Sequence, residues 1–266
     1  MIPNIIILGK ELSPYMLFSL VGILVILFFT RSLAQKQGLD DIHVLSMLLF
    51  AFIGVFLGGH ILYGITQMEY VIYVLTNLHK LDSFSTLIGT LMRIFGGSVF
   101  YGGLIGAIIV CLIYIKRCKL PPGPYSDIAA TAIPLFHFFG RLGCFTSGCC
   151  YGIPWAQGIT YHYALMADAN GIPRFPVQLV EAGLNLLLFF LLFCLIKKGR
   201  LRGRLLALYL TIYPVYRFLL EFLRGDAIRG FLGPFSTSQV ISLLLLAAVG
   251  IYWVRTAIRP RKTTSA

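Results

Sequence analysis

Gly140-Arg141-Leu142-Gly143-Cys144-Phe145-Thr146-Ser147-Gly148-Cys149-Cys150-Tyr151-Gly152 follows the apolar run Ala129 to Phe139 and places one arginine, three cysteines and four glycines within thirteen positions. Glycine at this density lets backbone turn sharply or approach another group closely. An arginine at the end of an apolar run needs an anionic partner or a wet cavity. The stretch therefore reads as a polar site held within apolar surroundings, with the fourth long apolar run opening into it.

The surroundings are apolar along the whole chain. Of 266 residues, 58% are hydrophobic and only 12% charged, and the mean hydropathy is +0.85. A soluble domain carries about twice that charge. Spanning helices need about 20 apolar residues each, and runs of that kind recur: about Tyr15 to Thr30, Val44 to Ile65, Leu91 to Ile115 (interrupted by Gly96-Gly97 and Gly102-Gly103), Ile128 to Phe139, Val177 to Ile196, Leu205 to Phe222 and Ser238 to Val254. The fold class expected is all-α integral membrane: a seven-transmembrane-helix bundle with a central lipid-facing cavity, forming one domain over residues 1–266. Met68 to Phe84 reads as an interfacial amphipathic segment, and Thr160 to Arg174 as an exposed loop or small cap. The first run lacks a small-residue cleavage site and reads as a helix, not a removed signal peptide.

The net charge of +12 points to lipid and topology, not to nucleic acid. Basic residues cluster after runs one, three, five and seven: Arg31 and Lys36; Lys116, Arg117 and Lys119; Lys197, Lys198, Arg200, Arg202 and Arg204; Arg255, Arg259, Arg261 and Lys262. Lys10, Lys80, Arg93, Arg174, Arg224 and Arg229 fall to the other side. By the positive-inside tendency the N-terminus is outside and the C-terminus cytoplasmic.

In so apolar a chain the polar residues within or beside spans are the informative ones. Arg217 and Glu221 are four apart and share a helix face, with Arg224 seven from Arg217. Such a pair can be purely structural. Adding Arg141 changes the balance: three arginines outnumber Glu181 and Glu221, and the excess suits an anionic ligand, since the guanidinium fork matches phosphate. The phosphate abundant around a membrane protein is that of the phospholipid headgroup.

Several segments, in order, resemble the bacterial prolipoprotein diacylglyceryl transferases. They are Gly54 to Gly59, Phe100 to Gly106, Gly140 to Gly143, Phe175 to Glu181, Arg217 to Arg224 and Ser236 to Ser242. The resemblance implies an enzyme of the bacterial cytoplasmic (inner) membrane. It would transfer the diacylglyceryl group of phosphatidylglycerol to the lipobox cysteine thiol of a prolipoprotein signal peptide, releasing glycerol phosphate, in lipoprotein biosynthesis. On the matching positions, Arg141, Arg217, Glu221 and Tyr101 are the catalytic candidates. Arg224, Tyr15, Gly102, Gly103, Gln178 and Glu181 are the substrate-binding candidates. Membrane lipid is the other partner, nucleic acid is not one, and no metal or organic cofactor is implied.

The departures fall on the chemistry. The family's histidine is replaced by Tyr101, a poor base at neutral pH since tyrosine titrates near 10. The asparagine, asparagine and glutamate of its signature are replaced by Cys144, Ser147 and Cys149. His137, one turn before Arg141, and His60 are alternative bases, though either also reads as a packing residue. Cys144, Cys149 and Cys150 are candidates for thiol chemistry beside an arginine. Their spacing lacks the repeated Cys-x-x-Cys of a zinc site, and Cys144–Cys149 is the favoured bridge if one forms. Two further readings stay open: a related lipid transferase using Cys144 and Cys149 on a different acceptor, and a non-catalytic lipid-binding or lipid-moving protein.

Overall fold

A computed structural model of the chain describes residues 5–7, 10–78, 83–226 and 231–258. Lys80, Arg229, Arg259, Arg261 and Lys262 lie outside them. Nine α-helices are described: α1 Pro14–Lys36, α2 Asp41–Thr66, α3 Met68–Thr76, α4 Phe84–Phe95, α5 Phe100–Arg117, α6 Pro122–Ser147, α7 Val177–Lys197, α8 Leu205–Leu220 and α9 Thr237–Ile258. Short antiparallel hairpins join β1 Ile5–Ile7 to β2 Lys10–Leu12, β3 Pro154–Thr160 to β4 Pro173–Arg174, and β5 Phe231–Leu232 to β6 Phe235–Ser236. Among the described residues, six helices are long and apolar enough to cross a membrane: α1, α2, α6, α7, α8 with its 3₁₀ extension to Leu223, and α9.

Two expectations change at this level. The third apolar run is not one interrupted helix but two, α4 and α5, parted at Gly96 to Val99. A Cβ on Gly96 would strike the Met92 carbonyl, and one on Gly97 would strike the Tyr63 ring. The Val99 amide freed by the break donates instead to the Gly59 carbonyl of α2 at 3.1 Å, so that donor is not orphaned. The second change concerns the glycine-cysteine stretch. It does not open into a loop at Gly140; helix α6 continues through Arg141 and Cys144 to Ser147. The chain turns only at Gly148, whose φ is +72°.

The chain divides into two compact units, residues 31–125 and residues 1–30 with 126–266. Within the first, α2 and α5 run antiparallel with glycines at the contact: Gly54 meets Gly106, and Gly58 meets Gly102. A Cβ at any of these would collide with a facing backbone carbonyl, the close approach that small residues permit between apolar helices. Gly103 lies against Val55 of the same partner helix. The structure thus gives Gly102 and Gly103 a packing reason for being glycine. In the same unit, Arg93 of α4 sits over the Tyr70 ring of α3 at 4.2 Å.

The second unit is ordered end to end by polar contacts. At one end the Asp127 carboxylate, near the start of α6, accepts from the Gly203 amide at 2.5 Å and the Leu205 amide at 2.9 Å. It thereby caps α8 and fixes the basic turn 197–204 beside the start of α6. Opposite, the Tyr15 amide of α1 donates to Ser147 Oγ at the end of α6 at 3.2 Å, and Gly143 of α6 packs against Tyr15 and Phe18. The starts of α1, α7 and α9 therefore gather with the ends of α6 and α8.

Candidate functional site

That second end holds a set of buried ion pairs. Arg141 Nη2 lies 2.9 Å from Glu181 Oε1, joining α6 to α7. Arg217 Nη1 lies 2.5 Å from Glu221 Oε2, four residues on, and Arg217 Nη2 donates to Ser238 Oγ of α9 at 3.0 Å. Arg224 Nη1 is 4.0 Å from the same Glu221 oxygen. Arg224 also makes a two-pronged pair with Asp226, Nε to Oδ1 at 2.9 Å and Nη2 to Oδ2 at 2.5 Å.

Asp226 corrects the charge count. The sequence reading set three arginines against two carboxylates, whereas each arginine here has its own: Glu181, Glu221 and Asp226. Excess positive charge is therefore not what equips this end of the unit for an anion. Exposure separates the three instead. The side chains of Arg217 and Arg224 are 4% and 9% exposed, while that of Arg141 keeps 20%. A guanidinium has five N–H donors, so one carboxylate leaves Arg141 donors for a second anion.

Gln178 and Glu181 open α7 and are both buried. Gln178 Nε2 donates to the Cys149 carbonyl at 2.9 Å, and its Oε1 accepts from Tyr161 at 3.2 Å. Its amide thus holds the cysteine turn against β3 and its connection. One turn beyond Glu181, Asn185 Nδ2 donates to the Glu181 carbonyl at 2.8 Å and its Oδ1 accepts from Tyr216 at 2.9 Å. Gly152 and Arg224 pair as an isolated antiparallel bridge, and the Ile153 amide donates to the Leu223 carbonyl at 3.0 Å. A Cβ on Gly152 would strike the Phe175 carbonyl, so the signature's last glycine is required for close backbone approach.

Cys144, Cys149 and Cys150 come together at the end of α6, their sulfurs all within 4.8 Å of one another. All six cysteines of the chain are free thiols. Hydrogen bonds from Cys144 and Cys149, then the positive field of Arg141 and Arg224, hold the Cys150 thiol well below the ordinary thiol range. Cys149 moves the other way, pushed up by its hydrogen bonds to Cys144 and Cys150 and by burial.

The remaining candidates stand as follows. Tyr101 is buried on α5 in the unit of residues 31–125. In that unit His60 Nδ1 lies 2.6 Å from the Phe95 carbonyl, a bond that occupies the nitrogen facing α4. His137 packs on Tyr213 of α8 with ring centroids 5.3 Å apart. Three residues of consequence escaped the sequence reading: Asp226, Ser238 and Arg174. Arg174 is not a surface cation but buried beneath the Tyr151 ring, donating to the carbonyls of Asp168, Ala169 and Gly152. Asp226 offered only proximity as a signal, two positions after an arginine at the end of a span, a spacing that brings side chains together only in extended backbone.

An apolar helical frame with three ion-paired arginines gathered at one end of a helical unit defines the class: an integral membrane protein with a partly enclosed site of paired arginines and carboxylates. The sequence profile of the prolipoprotein diacylglyceryl transferases matches residues 3–255, and the chain belongs to that family of transferases. The phosphatidylglycerol–prolipoprotein diacylglyceryl transferase of Clostridium tetani is 32% identical over 246 residues, 92% of each chain. That of Geobacter sulfurreducens is 34% identical over 243 residues, 87% of this chain and 86% of the relative. That of Pasteurella multocida is 35% identical over 252 residues, 88% and 85%.

Proposed function

We propose that this transferase takes the diacylglyceryl group of phosphatidylglycerol and attaches it to the lipobox cysteine thiol of a prolipoprotein signal peptide. The acceptor sulfur forms a bond to the terminal glyceryl carbon as that carbon's bond to phosphate oxygen breaks. The thiol proton passes to a base and the phosphate leaves on glycerol. Negative charge grows on the departing phosphate, and cationic donors fixed beside it stabilise that charge more than they stabilise the bound lipid.

Arg141 is the phosphate ligand, because it alone of the three site arginines keeps appreciable exposure while Glu181 fixes its plane. Glu221 orients Arg217, and Arg224 completes the set. Gln178 supports the site through the Cys149 carbonyl, and Tyr15 lies against Gly143 one turn from Arg141's neighbours. Tyr101, at the family's histidine position, is the remaining catalytic candidate; a tyrosine there supplies a hydrogen bond more readily than it accepts a proton. Gly102 and Gly103 keep that segment's helix close to α2. The frame is a seven-span bundle in the bacterial cytoplasmic membrane, with α5 as the seventh crossing and a central cavity open to lipid. Its N-terminus is outside and its C-terminus cytoplasmic. The single observation that carries the reading is the family match over residues 3–255.

Complementation tests it. In a bacterium depleted of its own transferase, the wild-type chain restores lipidated lipoprotein, read as the mobility shift of a labelled reporter. Arg141→Ala, inserted at equal level, lowers transfer by at least about a hundredfold, the scale of losing one charge-stabilising donor. A well-expressed wild-type chain that leaves the reporter unmodified would refute the assignment.

A further inference from the structure

Cys144 and Cys149, which stand where the family has polar signature residues, form a site of their own together with Cys150. Helix α6 carries Cys144 to within a turn of its end, and the chain then folds back on it. Gly148 takes φ +72° and Cys150 φ +56°, a left-handed conformation that residues with a Cβ adopt at a cost. The Cys149 amide donates to the Cys144 carbonyl at 3.1 Å, and Gln178 holds the Cys149 carbonyl from α7 at 2.9 Å. The consequence is convergence of three sulfurs within 4.8 Å, Cys144 buried and the other two partly so.

We infer that Cys144, Cys149 and Cys150 form a three-sulfur binding site for a single Cu(I) ion. Sulfur donors select soft cations. Zinc in structural sites takes four ligands in a tetrahedron, and among the described residues no further histidine, cysteine or carboxylate joins this group. A three-coordinate site suits Cu(I), for which soft thiolates are the preferred ligands. With metal–sulfur bonds of about 2.3 Å, three sulfurs around one ion lie about 4 Å apart, within the spread already present. Binding displaces thiol protons to solvent. The turn accompanies this convergence: Cys150 takes a left-handed conformation that is costly for a residue with a Cβ, at the point where its sulfur joins the other two. The proposal does not depend on the lipid-transfer reading.

The test uses the full chain in detergent, purified and kept anaerobic under a reductant that does not bind copper. Cu(I) is titrated against bicinchoninate as competing chelator. One ion per chain should be withdrawn, with a thiolate-to-copper absorption band in the near ultraviolet and three sulfur neighbours in X-ray absorption. Cys150→Ser, which lies outside the helix and should leave folding intact, lowers affinity at least about tenfold. The combined Cys111→Ser, Cys118→Ser and Cys194→Ser variant keeps the ion. Copper left with the chelator would overturn the site, as would equal binding by Cys150→Ser or loss of the ion in the combined variant. Zn(II) bound in preference with a fourth ligand, or a disulfide among the three thiols in the reduced preparation, would overturn it as well.

Discussion

At Arg217 and Glu221 the structural and catalytic explanations can be separated. The pair is almost fully enclosed, 4% and 1% exposed, and its nitrogen and oxygen stand 2.5 Å apart. Removing one partner strands a charge in apolar surroundings, so Glu221→Gln should destabilise the folded protein by about 3–5 kcal/mol. Replacing both by apolar residues of similar volume often costs nothing. The double variant Arg217→Met, Glu221→Leu should therefore recover most of the thermal stability lost by the single one, measured by unfolding in detergent. Lipid transfer should not recover with it, because the proposed role of Arg217 is to place charge near the phosphate. Recovery of both would make the pair a packing device and remove Arg217 from the site. This pair was readable in the sequence because its spacing of four is a property of any helix. Arg224–Asp226 was not, since a two-residue spacing meets only where the backbone is extended, as Arg224 is here. Missing it led to a false charge excess.

At the scale of elements, the glycines of the second apolar run are legible as a surface for close helix contact, but the sequence does not say which helix meets it; the structure brings α5 there. Gly58 and Gly102 face one another so tightly that a Cβ on either meets the other's carbonyl oxygen, whereas a Cβ on Gly89 of α4 would meet nothing within 4 Å. The two helical sites should respond oppositely to one methyl group. Gly58→Ala must push backbone away from backbone, forfeiting packing along both helices, and should lower the unfolding temperature and the yield of folded protein. Gly89→Ala costs no space and gains helix propensity of up to about 1 kcal/mol, so it should be neutral or stabilising. Similar effects from both would show that α2 and α5 do not pack this closely. The glycine-cysteine stretch misled for the same reason. Gly140 and Gly143 suggested a turn, but glycine in an apolar helix more often marks a packing surface, and Gly143 serves one against Tyr15 and Phe18. The turn belongs to Gly148 and Cys150. A left-handed cysteine leaves no trace in composition or periodicity, so the convergence of the thiols could not be read from their spacing.

For the whole molecule, the open question is which end of the helices faces outward. Most of the spans were legible, since a 20-residue apolar run has few alternatives; the break between α4 and α5 was obscured because both halves are apolar. Within the unit of residues 1–30 and 126–266, Asp127 ties the basic turn 197–204 to one end. The β3–β4 connection lies at the other, where the Leu165 amide donates to the Ser147 carbonyl at 2.8 Å. On the orientation proposed above from the positive-inside tendency, the basic end is cytoplasmic and the arginine site faces the outer leaflet, where a secreted signal peptide would meet it. Single cysteines decide the matter in a background whose six native cysteines are replaced by alanine. Leu201→Cys, in the basic turn, and Tyr163→Cys, in the β3–β4 connection, both fall on exposed side chains, 41% and 72%. A membrane-impermeant maleimide should label Tyr163→Cys in intact spheroplasts and Leu201→Cys only in inverted vesicles. The reverse pattern would turn the molecule over and put the arginines at the cytoplasmic face. Labelling of both from one side would mean that α7 and α8, despite their length, do not separate the two positions across the bilayer.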